Sequence, residues 1–285
     1  MARARAADGG CGSRAGRRYR ERGRTRDTVS RTAQTRIGLA IAAAIITGWL
    51  AVHLLAIFAF DLRAEPAGLA AALILLQAWL STGLFITAHD AMHGSLAPGL
   101  PHMQRGIGRI ALMIYAGLSY DRLAPKHFAH HKHVGTAHDP DFNADNPRRF
   151  WPWLKRFFAT YYTHGQIGRI TLVALAYLAL GARLENIVLF WAVPALLALL
   201  QLFTFGTYLP HRQGRSAFPD RHRARSSELP DWLSALTCFH FGGYHHEHHL
   251  YPGEPWWRLP ARRRSQAGLR EGKAAAMSRS VRPNS

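Results

Sequence analysis

The chain has 285 residues, 48% of them hydrophobic, only two cysteines, and a formal net charge of +19 from 36 Lys+Arg against 17 Asp+Glu. Cys11 and Cys238 exclude a disulfide framework, and no C-x-x-C exists for an iron–sulfur or zinc-knuckle site. The charge alone would suit nucleic acid, but the basic residues concentrate in 3–36 and 262–282, outside the apolar body, where the cytoplasmic flanks of membrane spans carry them.

Residues 1–35 are rich in Arg, Gly and Ala, cannot bury a core, and are expected to be a disordered arm. Arg17-Arg18 is a twin arginine, but no short apolar region follows closely, so a cleaved signal is not expected. Ile37–Phe60 is 24 residues of almost unbroken apolar character, enough to cross a bilayer as a helix. Its one ionisable residue, His53, reads as a packed group and not a ligand. Asp61–Pro66 is a polar turn, and Gly68–Ala88 returns as a second span that runs directly into His89.

Ile107–Leu118 is apolar but too short to span, so a buried or re-entrant helix is expected. Lys126–His133 is histidine-rich, and Gly135–Phe142 is turn-like and acidic. Phe150–Tyr162, aromatic and basic, suits a helix at the membrane interface. Ile170–Ala182 is apolar but short, so a span here borrows residues from the preceding helix or tilts little. Arg183–Asn186 is a second tight turn. Ile187–Leu209 is a long apolar run with Pro194 as a kink point, and it ends at His211. Residues 212–238 are polar and arginine-rich, and 261–285 read as a disordered basic tail.

These elements predict an all-α integral membrane protein, with four transmembrane helices in two hairpins and residues 36–260 as its domain. The turns at 61–66 and 183–186 hold one arginine each, balanced by acids. The other connections are basic, which places both termini and the bulk of the polar residues in the cytoplasm, with a helical cap on that side of the inner membrane.

On that side lie three histidine clusters. His89 and His93 are spaced i, i+4. His127, His130 and His131 form H-x-x-H-H, and His245, His248 and His249 repeat it. Helical spacing puts each set on one face, and neutral imidazole is a good transition-metal ligand. His211, in Leu209-Pro210-His211-Arg212, makes a ninth candidate, with Pro210 expected to break the helix locally and turn the ring inward.

Nine ligands exceed one tetrahedral zinc and fit two metals at four or five each. Iron suits open positions beside a membrane pocket, where it activates O2. Asp90, Asp139, Asp141 and Glu247 are candidates for orienting the ligand imidazoles. His133, His138, His222, His240 and His246 lie off the helical faces and are read as non-ligands. No G-x-G-x-x-G opens a nucleotide fold, and no flavin or haem domain is recognisable, so electrons are expected from a separate carrier such as ferredoxin. A histidine-rich metal carrier or sensor is the non-enzyme alternative, but ligands preset on rigid helices hold a metal instead of passing it on.

The three boxes resemble the membrane fatty acid desaturase and hydroxylase superfamily. Longer phrases are similar to the bacterial beta-carotene 4-ketolases: Ala88–Pro98, Tyr115-Ala116-Gly117, Asp139–Phe142, Tyr208–Arg212, Arg225-Ser226-Ser227, Leu236–Gly242, Tyr244–Leu250 and Pro255–Pro260. The resemblance runs from about Ile37 to Pro260. His138 stands where that family is expected to have an acidic residue. The resemblance implies a carotenoid substrate drawn from the bilayer and oxidation of carbon 4 of its β-ionone ring to a ketone. Beta-carotene would go to echinenone and canthaxanthin, and zeaxanthin to astaxanthin if hydroxylated rings are accepted. A fatty acyl desaturase or hydroxylase on the same scaffold is the alternative.

Overall fold

Long apolar runs interrupted by short polar turns leave the backbone one way to satisfy itself in lipid, which is helix. The computed structural model describes residues 29–214 and 217–268, and among these every regular element is helical. We number them α1 Arg31–Leu54, α2 Ala67–Met92, α3 Pro101–Ala116, α4 Tyr120–His133, α5 Phe150–Tyr161, α6 His164–Ala179, α7 Leu184–His211, α8 Asp231–Cys238 and α9 Phe241–Leu250. A final helix, α10, covers 259–268.

Among the described residues, three helices are long and apolar enough to cross a membrane: Arg31–Ala59, which is α1 with a terminal π turn, then α2, then α7. The expectation of four such helices is corrected at α6, which has 16 residues and a length of about 24 Å. Its start is fixed where Thr163 caps the Gln166 N–H. From there α6 caps the end of the short α3: Gln166 donates to the Ala116 carbonyl, and Arg169 donates to that of Gly117. Gly117 adopts φ +63°, the left-handed turn that ends α3. The end of α3 packs against α2, with the Tyr115 ring 6.3 Å from Phe85.

At the opposite end the two hairpin turns meet. Asn186, buried at the start of α7, donates to the carbonyls of Ala56, Ile57 and Phe60, which the end of α1 leaves without partners. His53 behaves as a packed group, stacked on Trp49 and within 3.1 Å of the Tyr177 hydroxyl.

Proline does not break α7. The helix runs through Pro194 and Pro210, each preceded by a π-helical stretch, Val188–Ala192 and Leu202–Tyr208. Wider turns relieve the clash of the proline ring with the preceding carbonyl, so the expected local break at Pro210 becomes a widened helix that ends only at Arg212.

The terminal segments differ from expectation where they are described. Helix α1 begins at Arg31, inside the stretch read as an arm, because Gln34 and Thr35 donate to the carbonyls of Ser95 and Pro98. Residues 261–268, read as tail, are helical, and Arg263 bonds Glu247 and the Ser227 carbonyl. The rest of both segments, 1–28 and 269–285, lies outside the described residues.

Candidate metal centre

Four helices bring the histidines together. Helix α2 carries His89 and His93 at its end, α4 carries His127, His130 and His131, α7 ends on His211, and α9 carries His245, His248 and His249. Helix α9 is positioned by a tight reversal: Phe239 and His240 both take left-handed conformations, at φ 47° and 68°. Gly243 then sits so close to Ser234 that a Cβ would lie 2.0 Å from its Oγ. Only glycine permits that approach.

All nine predicted histidines gather, and they divide into two sets. His89, His93, His127, His131 and His248 form one, while His130, His211, His245 and His249 form the other. Within each set the candidate ligand atoms lie within 4.8 Å of one another. In each i, i+3, i+4 triplet the i and i+4 members stay together and the i+3 member serves the other set.

The nearest nitrogens approach closely: His93 Nε2 to His127 Nε2 at 2.6 Å, His211 Nε2 to His245 Nε2 at 2.8 Å, and His131 Nε2 to His248 Nε2 at 3.1 Å. His245 Nε2 also stands 3.0 Å from His249 Nε2. An imidazole nitrogen offers one proton or one lone pair, so His245 Nε2 cannot satisfy both neighbours by hydrogen bonding. A cation between them satisfies all three lone pairs. Ligand nitrogens about 2.1 Å from a metal stand roughly 3 Å apart, close to these separations.

The electrostatics fit the same reading. Burial, and then the neighbouring imidazoles, hold His127, His245, His248 and His249 well below the ordinary imidazole value. The same causes bring His93 and His131 down to about 2. These rings are neutral and carry the lone pairs that a metal needs. His130 is the exception: burial lowers it, but Asp141 and Asp139 outweigh burial and raise it.

The carboxylates separate into different roles. Asp139 accepts from His130 Nδ1 at 2.9 Å and from the backbone N–H groups of Gly135 and Asp141, which fixes the ring with Nε2 toward the cluster. Asp90 lies 3.7 Å from His89 Nδ1, beyond a hydrogen bond, and instead accepts from the Trp256 N–H at 3.2 Å. Asp141 binds the Tyr161 hydroxyl, and burial pushes it up to about 6. Glu247 faces away from the histidines, held by Ser226 and by Arg263 at 2.8 Å. His133, His138, His222, His240 and His246 are in neither set, and His246 bonds Asp220 at 2.9 Å.

Two features carry no signal in the sequence. The Arg223 carbonyl accepts from His211 Nδ1 at 2.8 Å, orienting the histidine that has no box of its own. A cavity of about 560 Å³ also begins at seven of the nine histidines, all but His93 and His211, which line it together with Asp141 and Tyr161, and runs between α2, α6 and α7 as far as Leu184 and Val188. One stripe of α7 lines it at helical spacing: Val188, Ala192, Ala195, Leu199, Leu202 and Gly206. Leu184, Val188 and Leu196 are both cavity-lining and exposed, so the cavity opens sideways on the apolar flank of the helices.

Comparison with known proteins points the same way. The family described as Fatty acid desaturase matches residues 64–170 and 166–279. The chain is 50% identical over 230 residues to a beta-carotene ketolase of one Paracoccus sp. strain, covering 80% of this chain and 93% of that protein. It is 48% identical over 235 residues to the beta-carotene ketolase of a second Paracoccus sp. strain, covering 82% and 95%. It is 38% identical over 261 residues to beta-carotene 4-ketolase 3 of Haematococcus lacustris, covering 81% of each.

Proposed function

This chain belongs to the fatty acid desaturase family, on the branch of the beta-carotene ketolases, and from that premise we propose that it introduces a keto group at carbon 4 of a carotenoid β-ionone ring. The observation that carries the reading is the cavity. It joins both histidine sets to an apolar passage flanking α7 from Thr207 to Leu184, about 35 Å of helix. Beyond the histidine end its walls are aliphatic and aromatic apart from Gln166, and carry no charge, which suits a long polyene with no charged head. The side opening admits a substrate dissolved in the bilayer.

Two iron ions would be held by the five-histidine and four-histidine sets, and when bound they would supply activation of O2 for insertion into a C–H bond. The C–H bonds at carbon 4 are allylic and therefore weak, so position decides which carbon reacts. Phe241 and Tyr115, lining the cavity beside the histidines, hold the ring. The Tyr115 hydroxyl points to the Ala195 carbonyl at 3.4 Å, which fixes that wall. Asp139 holds the His130 Nδ1 proton and the Arg223 carbonyl holds that of His211, so each presents Nε2.

Each hydroxylation consumes one O2, two electrons and two protons, and releases one water. The second gives a geminal diol, which loses water to leave the ketone. The electrons come from outside this chain, and a ferredoxin-type carrier is the fitting donor. The topology that serves this chemistry has four spans, with the short α6 as the third, and both termini on the cytoplasmic side of the inner membrane.

The test is expression in cells that accumulate beta-carotene, followed by pigment analysis. Echinenone and canthaxanthin are expected; unchanged beta-carotene beside well-expressed, metal-loaded protein would overturn the reading.

A further inference from the structure

A second cleft, of about 470 Å³, lies on the polar side of the four-histidine set. Its walls come from two connections, the one between α4 and α5 and the one after α7. His211 forms its floor, and Arg148, Arg223 and Arg225 line it. Among the described residues that line it there is no carboxylate. The basic walls are built into the fold: Arg223 donates to the Gly135 carbonyl at 2.7 Å. Arg225 donates to the Arg212 carbonyl at 2.8 Å and lies over the Phe218 ring. Arg148 is exposed. The Gln213 N–H donates to the Pro147 carbonyl and so ties the two connections together.

We propose that this arginine cleft is the docking site for an acidic electron-carrier protein, and that electrons enter the metal centre there through His211. The geometry gives a short bonded route. The Arg223 backbone, in the cleft wall, accepts from His211 Nδ1, and His211 Nε2 faces His245 Nε2 at 2.8 Å. His211 is at once the cleft floor and a member of the four-histidine set. Carboxylates of the carrier pair with the guanidinium groups, which offer paired donors in a fixed geometry. The surrounding positive field steers the encounter. The proposal rests on the oxygenase reading, because that reaction needs two external electrons per hydroxylation.

The experiment measures binding without turnover. Detergent-solubilised full-length protein is titrated with an oxidised plant-type [2Fe–2S] ferredoxin, an acidic carrier, at low and moderate ionic strength. Arg148→Glu is expected to weaken binding about tenfold, and Arg148→Lys to stay near wild type. Arg63→Glu, an equal charge change in the turn between α1 and α2, is expected to leave the affinity unchanged. In reconstituted turnover Arg148→Glu should raise KM for ferredoxin with little change in KM for the carotenoid. Equal affinity in Arg148→Glu and wild type, or equal weakening by Arg63→Glu, would overturn the cleft as the docking site. If no ketone forms with any carrier while Arg148 still governs ferredoxin affinity, the ketolase reading fails and the docking site stands.

Discussion

Asp61 and Arg183 pair at 2.8 Å across 122 residues of sequence, joining the turn after α1 to the turn before α7. The exposed pair adds little stability by itself. Arg183 holds the Asp61 carboxyl below its ordinary value, so the contact is ionic at neutral pH. The contact joins the two turns at one end of the helices, the end that the topology proposed above places outside. Reporter fusions after Arg63 and after Glu185 are both expected to read as external. A cytoplasmic reading at either would remove α6 as a span.

The same end of the molecule offers a stability test. Asn186 supplies the donors for carbonyls that water cannot reach. Asn186→Leu is expected to cost about 1–3 kcal/mol, the usual penalty for orphaning buried polar groups. Thermal unfolding in detergent checks this, and an unchanged midpoint would show that the hairpins pack without it.

The division of each histidine triplet makes a sharper prediction. His248 and His249 are adjacent in sequence yet belong to different sets. His248→Ala and His249→Ala should each abolish ketolation and each remove about one iron of two, but from different positions. The residual metal in the two variants is then expected to differ in its spectrum. Identical spectra, or a full iron load in either variant, would contradict the two-set arrangement.

The H-x-x-H-H pattern shows that the rings share a face, and this much was readable in the sequence. It does not show that they serve two centres. Positions i and i+4 lie about 40° apart around a helix and converge, while i+3 lies about 60° to the other side and diverges. Which way it leans depends on where the neighbouring helices stand. His211 was readable as following a span, though not for the reason expected, because π turns carry the helix through Pro210. The shortness of Ile170–Ala182 was readable, but the capping of α3 by Gln166 and Arg169 and of α1 by Asn186 was not, since each depends on a partner far away in sequence. The helix over 261–268 was not readable, because Arg263 reads as one more basic residue until Glu247 is placed opposite it.

Asp139 and Asp90 separate by geometry. Asp139 touches its histidine at 2.9 Å; Asp90 does not touch His89 at 3.7 Å. Asp139→Asn is expected to weaken metal binding about 10–100-fold, the usual effect of losing a carboxylate behind a ligating imidazole. Asp90→Asn keeps an acceptor for the Trp256 N–H and is expected to change affinity far less. Titration of the apoprotein with ferrous iron measures both, and equal losses would show that Asp90 also orients a ligand.

The last prediction concerns Gly206, which lines the cavity on the same stripe of α7 as Leu202, five residues before His211. A Cβ built there meets nothing within 4 Å, so the space beside it is open. Gly206→Ala should be tolerated, because helix propensity favours alanine by about 0.5–1 kcal/mol. Gly206→Phe places a ring in the space assigned to the substrate while leaving all nine histidines in place. It is expected to lose most ketolation, retain its iron, and bind ferredoxin as wild type does. Full activity in Gly206→Phe would mean that the carotenoid ring approaches the metals by another path. Loss of iron together with activity would mean that the side chain disturbs the helix end at His211, and Gly206→Leu, a smaller intrusion, would then separate blockage from distortion.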